Sequence, residues 1–356
     1  MIKKNKEKIF YIQSAGVFLI VVILGLAFFY FGQQRNKKNE TEFNNQVENV
    51  LREETELPEI KCEYRVRVDG TCLENEDDSY VYAVMIDNHY DARPPSSLSN
   101  ARLVYEAIVE SPITRFLAIF SSLDELLEIG PVRSARPFYV DWMKEFNGPY
   151  LHVGGSNAAL ETLKSYSYDL NEFSNGGYFW RDYNKIQPHY IYTSSENVNL
   201  AIKKKDWSLG ANFSSWNYKD DLPDEFRPDE HEVIVDFATP AFTINWKYNK
   251  ELNDYQRYQA GYAHNDEDGA EIRAKNIAVI YTSSKVIDSY GRRETRTIGT
   301  GDAIVFQDGR AIEGLWKRSS LSQRTRFYDL EDQEVEFNAG TTWIEVVPDH
   351  FPKVIY

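Results

Sequence analysis

Hydrophobic and polar positions divide the chain into regions of different periodicity. An uncharged run of 24 residues, 9–32, comes first, and apolar runs of strand length, interspersed with charges and helical stretches, follow it. From residue 233 onward apolar and polar residues alternate with a period of two, which is typical of half-buried strands. The pattern predicts an α/β domain at residues 61–225 and a mainly antiparallel β domain at residues 226–356.

Capping residues locate the helices of the first domain. A helix over residues 134–146 is predicted because Pro137 would stand in its first turn, where a missing N–H is tolerated. A glycine turn precedes a second helix at about 157–164, and capping-box spacing opens a third near residue 194 that ends close to residue 205. The aromatic-rich segment 171–187 predicts a long surface loop.

The first apolar run has the length of a membrane span. A helix needs about 20 apolar residues to cross a bilayer core, and residues 9–32 exceed that length. A cleaved signal peptide is the alternative, but the run is longer than the apolar part of such peptides and no small-residue cleavage site follows it. We predict a cytoplasmic segment at residues 1–8, one transmembrane helix at residues 9–32 and a stalk or linker at residues 33–60.

The two cysteines indicate on which side of the membrane the folded region after the predicted stalk, here called the body, lies. Cys62 and Cys72 flank a turn-like segment around Gly70. Outside the cytoplasm, an isolated pair at this spacing predicts a disulfide, whereas two free thiols would fit a cytosolic protein. The disulfide favours an extracytoplasmic body, and hence a single-pass protein of the plasma membrane.

Net charge excludes one class of partner. The chain has a formal charge of -15, and its first 38 residues carry seven basic side chains and one acidic one. That surplus of six positive charges leaves -21 for the rest of the chain. Because nucleic-acid binding depends on clustered Lys and Arg that neutralise phosphates, we expect no nucleic-acid partner.

Seven segments that occur in order resemble a known family. They are AVMIDNHYDARP, ARLVYEAIVESPITRFLAIFSS, IGPVRSARPFYVDW, LHVGGSNAAL, KNIAVIYT, DGRAIEGLWKRSS and GTTWIEVVP. Together they span about residues 80–348 and resemble the YerB-like extracytoplasmic lipoproteins, a family defined by two adjacent domains of unknown function. The resemblance implies a two-domain bacterial envelope protein and implies no reaction. Many such proteins are lipid-anchored through a cysteine, so membrane anchoring here is predicted from the apolar run alone.

Charged side chains of the first domain gather where strands end and helices begin. Arg133 and Arg136 stand at one predicted helix start and the turn Gly154–Gly155 at another, and guanidinium groups with free backbone N–H groups suit a carboxylate or phosphate. We predict a pocket for an anionic cell-wall component or a partner protein, lined by Asp87, Asn88, His89, Arg93, Arg115, Arg133, Ser134, Arg136, Gly154, Gly155 and Ser156. The alternative is a buried network in which the arginines pair with Asp87, Glu106, Glu110 and Asp141.

A catalytic interpretation uses the same region. Glu106 and Glu110 are four residues apart, so in an extended strand they would face the same side, while His89 and His152 follow strand ends. Such a carboxylate and imidazole, if brought together, would suit hydrolysis or transfer on cell-wall glycan or peptide. The sequence has no serine elbow, HExxH motif or Cys/His pair, so it leaves open whether the protein is an enzyme. His89, His152 and His189 could hold a metal ion with Asp87, but their separations predict nothing about a shared site, and a polar structural role for each is the alternative. We expect no metal and no cofactor.

Overall fold

The computed structural model describes residues 62–110 and 112–356. The predicted cytoplasmic segment, transmembrane helix and stalk lie outside these residues. Within them, no helix is both long and apolar enough to cross a membrane.

Short helices and many strands make up the described residues. The helices are α1 (Pro137–Met143), α2 (Asn157–Leu163), α3 (Glu172–Asn175) and α4 (Ser195–Lys205), with 3-10 turns at Tyr90–Ala92, Leu98–Asn100, Gly176–Tyr178, Asp224–Phe226 and Pro240–Phe242. The strands are β1 (Tyr64–Arg65), β2 (Cys72–Leu73), β3 (Val81–Asp87), β4 (Leu103–Glu110), β5 (Ile113–Ser121), β6 (Tyr150–His152), β7 (Asp169–Asn171), β8 (Trp180–Arg181), β9 (Ile191–Tyr192), β10 (Tyr218–Lys219), β11 (Glu232–Asp236), β12 (Thr243–Asn249), β13 (Asp254–Gln259), β14 (Tyr262–Ala263), β15 (Arg273–Ala274), β16 (Asn276–Thr282), β17 (Ser284–Val286), β18 (Arg293–Thr295), β19 (Gly299–Gln307), β20 (Arg310–Arg318), β21 (Arg326–Asp329), β22 (Phe337–Asn338) and β23 (Thr342–Pro348). The fold is therefore rich in β-structure and has few helices.

A ten-stranded sheet joins the two halves of the sequence. Its strand order is β21-β20-β19-β16-β23-β4-β5-β3-β6-β7, so five strands from residues 276–348 lie beside five from residues 81–171. The halves meet where β23 and β4 pair in parallel, which places Glu345 beside Glu106. The two sequence regions thus share one sheet.

Each face of this sheet has its own core, because successive side chains of a strand point to opposite faces. On one face, Val104 and Phe116 belong to a core with Trp246 of the five-stranded sheet formed by β11 to β15. On the other face, Tyr105 stacks on Trp142 of α1, with ring centroids 5.0 Å apart. A second sheet and α4 therefore cover one side, and α1 and α2 cover the other.

The first predicted helix is shorter than expected. Helix α1 begins at Pro137, with Arg136 as an extended N-cap residue, and ends at Met143. The residues before it are held extended, because Arg133 N–H donates to the Met85 carbonyl and Ala135 N–H donates to the carbonyl of Gly154. Ser134 therefore lies outside the helix and does not cap it.

Two further helices begin where their capping residues predict. The hydroxyls of Ser156 and Ser194 each accept a hydrogen bond from the backbone N–H three residues later, and α2 and α4 end at Leu163 and Lys205. The segment 171–187, predicted as a loop, instead contains α3, a 3-10 turn and β8. The first region is thus less irregular than predicted, yet its short helices make it less helical than an α/β label suggests.

The β-rich character of the second region is confirmed. Asp308 and Gly309 join β19 to β20 as a two-residue hairpin turn, with φ of 52° and 67°. Both values are positive, as the type I′ turn of two-residue hairpins requires. The antiparallel prediction is wrong for β16 and β23, which pair in parallel, because a period-two pattern carries no information about strand direction. The boundary predicted near residue 225 falls between β10 and β11 and stays a prediction.

The predicted disulfide is confirmed. Cys62 and Cys72 are bonded, with Cα atoms 5.4 Å apart. The bond closes the hairpin of β1 and β2, in which Tyr64 pairs with Leu73. It lies ahead of the first strand of the large sheet, as the spacing indicates.

Candidate functional site

Asp87, the last residue of β3, orients two side chains from distant parts of the chain. Its Oδ2 accepts hydrogen bonds from His189 Nδ1 at 2.6 Å and from Arg133 Nε at 2.8 Å. Burial opposes the charge of Asp87, but the hydrogen bond from His189 and the charges of Arg115 and Arg133 bring its pKa well below the usual value. An ionised carboxylate therefore holds both side chains.

His89 and Asp91 complete this group at the surface. The ring of His89 stacks on that of His189, with centroids 4.7 Å apart and planes 7° from parallel. His89 Nδ1 accepts a long hydrogen bond of 3.2 Å from Asp91 N–H and lies 3.6 Å from Asp91 Oδ2. Burial, followed by the proximity of His189, lowers the pKa of His89. We call Asp87, His89, Asp91, Arg133 and His189 the His89 cluster.

Arg133 contributes unused hydrogen-bond donors to the His89 cluster. Its Nε is bonded to Asp87, and the side chain is 23% exposed. Neither terminal nitrogen of Arg133 has a hydrogen-bond partner among residues 62–110 and 112–356. These nitrogens are able to donate to a carboxylate or phosphate from outside the chain.

Two further arginines of the predicted pocket are engaged by the protein. Arg115 donates to the Ser134 carbonyl at 2.7 Å and lies 3.8 Å from Glu110, and Arg136 pairs with the same carboxylate. The buried-network alternative therefore describes Arg115 and Arg136, and it also describes the Nε of Arg133, which pairs with Asp87. Asp141, also expected in that network, instead accepts a hydrogen bond from Thr297.

The glycine turn before α2 is likewise occupied. Gly154 N–H donates to Asn171 Oδ1 at 3.0 Å, and Ser156 N–H donates to the Ala135 carbonyl. Gly154 has a φ of +57°, and a Cβ at this residue would lie 2.7 Å from the ring of Phe173. The structure therefore places Gly154, Gly155 and Ser156 in a packed turn whose donors largely bond within the protein.

Glu106 lies in a separate, fully buried network. Its Oε2 accepts from Arg257 Nη2 at 2.5 Å, and its Oε1 accepts from Thr114 at 2.6 Å and from Asn88 at 3.2 Å. Arg93 in turn donates to the carbonyl and side-chain oxygens of Asn88. Asn88 thus links the buried Glu106 to the part-buried Arg93.

Aromatic rings and a neutral acid surround the buried guanidinium of Arg257. Its central carbon lies 4.7 Å from the ring centroid of Trp343. Glu345, next to Glu106 across the sheet, accepts from Trp246 Nε1 at 2.9 Å. Burial, followed by the charge of Glu106, raises the pKa of Glu345 well above its usual value. We therefore treat Glu345 as a carboxylic acid and Glu106 as the counter-ion of Arg257.

The predicted acid–base pairs do not form. A β-bulge between Ile108 and Glu110 shifts the register of β4. Glu110 therefore pairs with Arg136 beside α1, while Glu106 points to Arg257 on the opposite face, so the same-side prediction is wrong. His152 is fully buried and bonded to Asp169 and to the Gly154 carbonyl. In the described part of the chain, no hydrogen bond joins either glutamate to His89 or His152.

Two members of the His89 cluster were absent from the predicted site. Asp91 follows His89 by two residues, and the HxD spacing within a turn was the available signal. His189 was a candidate metal ligand or a structural histidine, and nothing in the sequence brings it next to a residue 100 positions earlier.

Comparisons with known proteins identify relatives over most of the chain. Two family models match, described as the N-terminal and C-terminal domains of a protein of unknown function (DUF3048), at residues 70–208 and 233–344. "Putative lipoprotein YerB" of Bacillus subtilis (strain 168) is 35% identical over 277 residues, which cover 75% of this chain and 81% of that protein. The crystal structure of YerB protein from Bacillus subtilis has a TM-score of 0.72 at 31% identity, covering 80% of this chain and 97% of that chain.

Proposed function

This chain belongs to the DUF3048 family, as its resemblance to YerB-like proteins predicts, and we propose that it is a membrane-anchored binding or scaffolding protein of the cell envelope. The name of its relative, a lipoprotein, supports the envelope location. The disulfide between Cys62 and Cys72 supports a body outside the plasma membrane, where such bonds persist. The apolar run at residues 9–32 would be the anchor.

The ligand class of this proposal is an anion carried by a cell-wall component or a partner protein. The observation that carries it is Arg133, whose terminal nitrogens have no partner in residues 62–110 and 112–356 and lie in a partly exposed side chain. A guanidinium group fits carboxylate and phosphate oxygens with two parallel hydrogen bonds. What distinguishes Arg133 from a mobile surface arginine is that its Nε is held by the buried carboxylate of Asp87, which fixes the direction of the terminal nitrogens.

Binding of two soluble probes to the detergent-solubilised full chain tests the proposal. The probes are a polyol-phosphate polymer and a carboxylate-bearing peptidoglycan fragment, each titrated by calorimetry in the presence of a metal chelator. Arg133→Gln removes the charge and keeps a hydrogen-bonding side chain. We expect it to weaken binding of the preferred probe about 10- to 100-fold, the range for a hydrogen bond between charged groups.

The matched control is Arg273→Gln. Arg273 is also partly exposed and donates at 2.6 Å to a mostly buried carboxylate, that of Asp254. It lies on β15, in the five-stranded sheet, so this variant should bind like the wild type. Equal affinities of the wild type and Arg133→Gln for both probes, or no binding by the wild type, would contradict the proposal.

A further inference from the structure

Three side chains of the His89 cluster bring metal-ligating atoms together. His89, Asp91 and His189 each offer one such atom, and the three atoms lie within 4.8 Å of one another. Among residues 62–110 and 112–356, this is the one group of three or more His, Cys, Asp or Glu side chains that meets that distance. We infer that these residues bind a divalent transition-metal ion such as zinc. The inference goes beyond the proposed function and does not depend on it.

The spacing within the group is close to that of a coordination shell. His89 Nδ1 and Asp91 Oδ2 are 3.6 Å apart. Two ligand atoms of a tetrahedral zinc ion are separated by about 3.3 Å, so this pair needs an adjustment of a few tenths of an ångström. The other pairs, which lie within 4.8 Å, need up to about 1.5 Å, together with a rotation of the stacked rings of His89 and His189 so that one ion lies in both ring planes. Metal binding at Nδ1 would replace the long hydrogen bond that Asp91 N–H now donates to it.

Asp87 prepares His189 for this role. In metal sites the ligating histidine usually donates its other ring N–H to a carboxylate, which sets the tautomer and the ring orientation. His189 Nδ1 lies 2.6 Å from Asp87 Oδ2, and this contact leaves Nε2 as the ligating atom. Arg133 Nε holds the same carboxylate oxygen, so the supporting group is itself fixed.

The ligand set selects the class of metal. Two imidazoles and one carboxylate suit zinc, copper, nickel or cobalt, whereas magnesium and calcium prefer a shell of oxygen atoms. Asp91 would contribute one negative charge to the ion directly, and Asp87 stands behind the ligand His189 with a second. Three protein ligands leave one position of a tetrahedral shell for a further ligand, and catalytic zinc sites share that feature.

Metal titration of the untagged full chain in detergent tests the inference. We expect one zinc ion per chain, with a dissociation constant of about 1 µM or lower and no competition from millimolar magnesium. His89→Phe keeps a ring to stack on His189 and removes a ligand, so it should weaken zinc binding about 100-fold or more. Asp91→Asn should weaken it about 10-fold. Cobalt in place of zinc should give the visible absorption of a tetrahedral site in the wild type and not in His89→Phe.

His350→Phe is the matched control. His350 Nδ1 lies 3.5 Å from Asp349 in an exposed pair, so it reproduces the residue types of the site without a third ligand. Unchanged far-ultraviolet circular dichroism and thermal midpoint of metal-free His89→Phe would show that it folds. The inference is overturned if the wild type binds no zinc, if His89→Phe binds as tightly as the wild type, or if His350→Phe loses as much affinity. Since no anionic probe is used, this outcome is separate from that of the Arg133 experiment.

Discussion

Single residues in the sheet interior show how a charge is tolerated there. Glu106 was predicted either as a catalytic group or as a partner of the site arginines, and its partner is Arg257, which comes from the other half of the sequence. Both side chains are fully buried. Removing one partner of a buried pair leaves an uncompensated charge, which costs more than the pair contributes. This pair should therefore be sensitive to single substitutions and tolerant of paired ones.

Arg257→Met tests that expectation. It leaves the Glu106 carboxylate without its cation, so the free energy of unfolding should fall by about 3–5 kcal/mol. The double variant with Glu106→Gln should recover part of the loss, because the buried charge is gone. Urea denaturation followed by tryptophan fluorescence measures both values.

Lys247→Met is the comparison for the buried pair. Lys247 lies on β12 of the five-stranded sheet, is 51% exposed and is 3.8 Å from Glu232. Exposed pairs contribute about 1 kcal/mol at most, so this loss should be small. A loss for Arg257→Met no greater than that for Lys247→Met would show that Glu106 does not depend on its partner.

The sequence predicts those residues of the site whose position follows from nearby sequence signals. Asp87 and His89 were predicted because they follow a strand, and Arg133 because it stands at a predicted helix start. His189 reaches Asp87 through the tertiary fold, across 102 positions. Its place could not be predicted, since a single sequence does not indicate which distant loops meet.

At the scale of elements, one carboxylate ties a turn to a distant loop. The 3-10 turn Leu98–Asn100 has no side-chain cap of its own, because Ser97 makes no capping hydrogen bond. Asp266 supplies the cap and accepts from the N–H groups of Leu98 and Ser99 at 3.0 and 2.8 Å. Burial raises the pKa of Asp266 to about 6, against an ordinary value of 3.8, although those hydrogen bonds act in the opposite direction.

Asp266 should therefore make the stability of the fold depend on pH. Because its folded pKa lies above its unfolded pKa, the folded state binds the proton more tightly. The contribution of this carboxyl to stability is present below 3.8 and is lost as pH rises towards about 6. The loss should be on the order of 3 kcal/mol, since one pKa unit corresponds to about 1.4 kcal/mol.

Asp266→Asn checks this assignment, because an amide keeps an acceptor oxygen and cannot ionise. Urea denaturation at pH 4 and pH 7 gives the change in unfolding free energy for each protein. The variant should lack the decline attributed to Asp266, while other carboxyl groups affect both proteins equally. An identical pH dependence in the two proteins would contradict the raised pKa.

Elements with local signals were predicted well, and those that depend on neighbours were not. The starts of α2 and α4 follow from Ser156 and Ser194, whose hydroxyls act three residues away. The bulge near Glu110 has no such signal, since it arises from the pairing of β4 with β5. That bulge turns Glu106 and Glu110 to opposite faces of the sheet. The wrong same-side prediction for the two glutamates therefore results from an irregularity in strand β4.

At the scale of the whole molecule, the ten-stranded sheet unites the two sequence regions that the domain boundary divides. The two family models match the chain as two separate domains, yet β4 of the first region and β23 of the second are neighbours in one sheet. Strand patterns predicted both regions but not this pairing, because Leu103 and Thr342 are 239 positions apart and alternation does not specify a neighbour. The buried pair of Glu106 and Arg257 also links the two regions.

The two regions should therefore unfold together. Calorimetry of the full chain with its disulfide intact should give one transition for the body, with van't Hoff and calorimetric enthalpies that agree. A fragment of residues 62–225 should show no cooperative transition, because β4 would lose its neighbour β23 and Glu106 its partner Arg257. An exposed apolar strand edge also promotes aggregation, so light scattering of the fragment should increase. Two resolved transitions in the full chain, or cooperative melting of the fragment, would mean that each region is stable without the sheet that joins them.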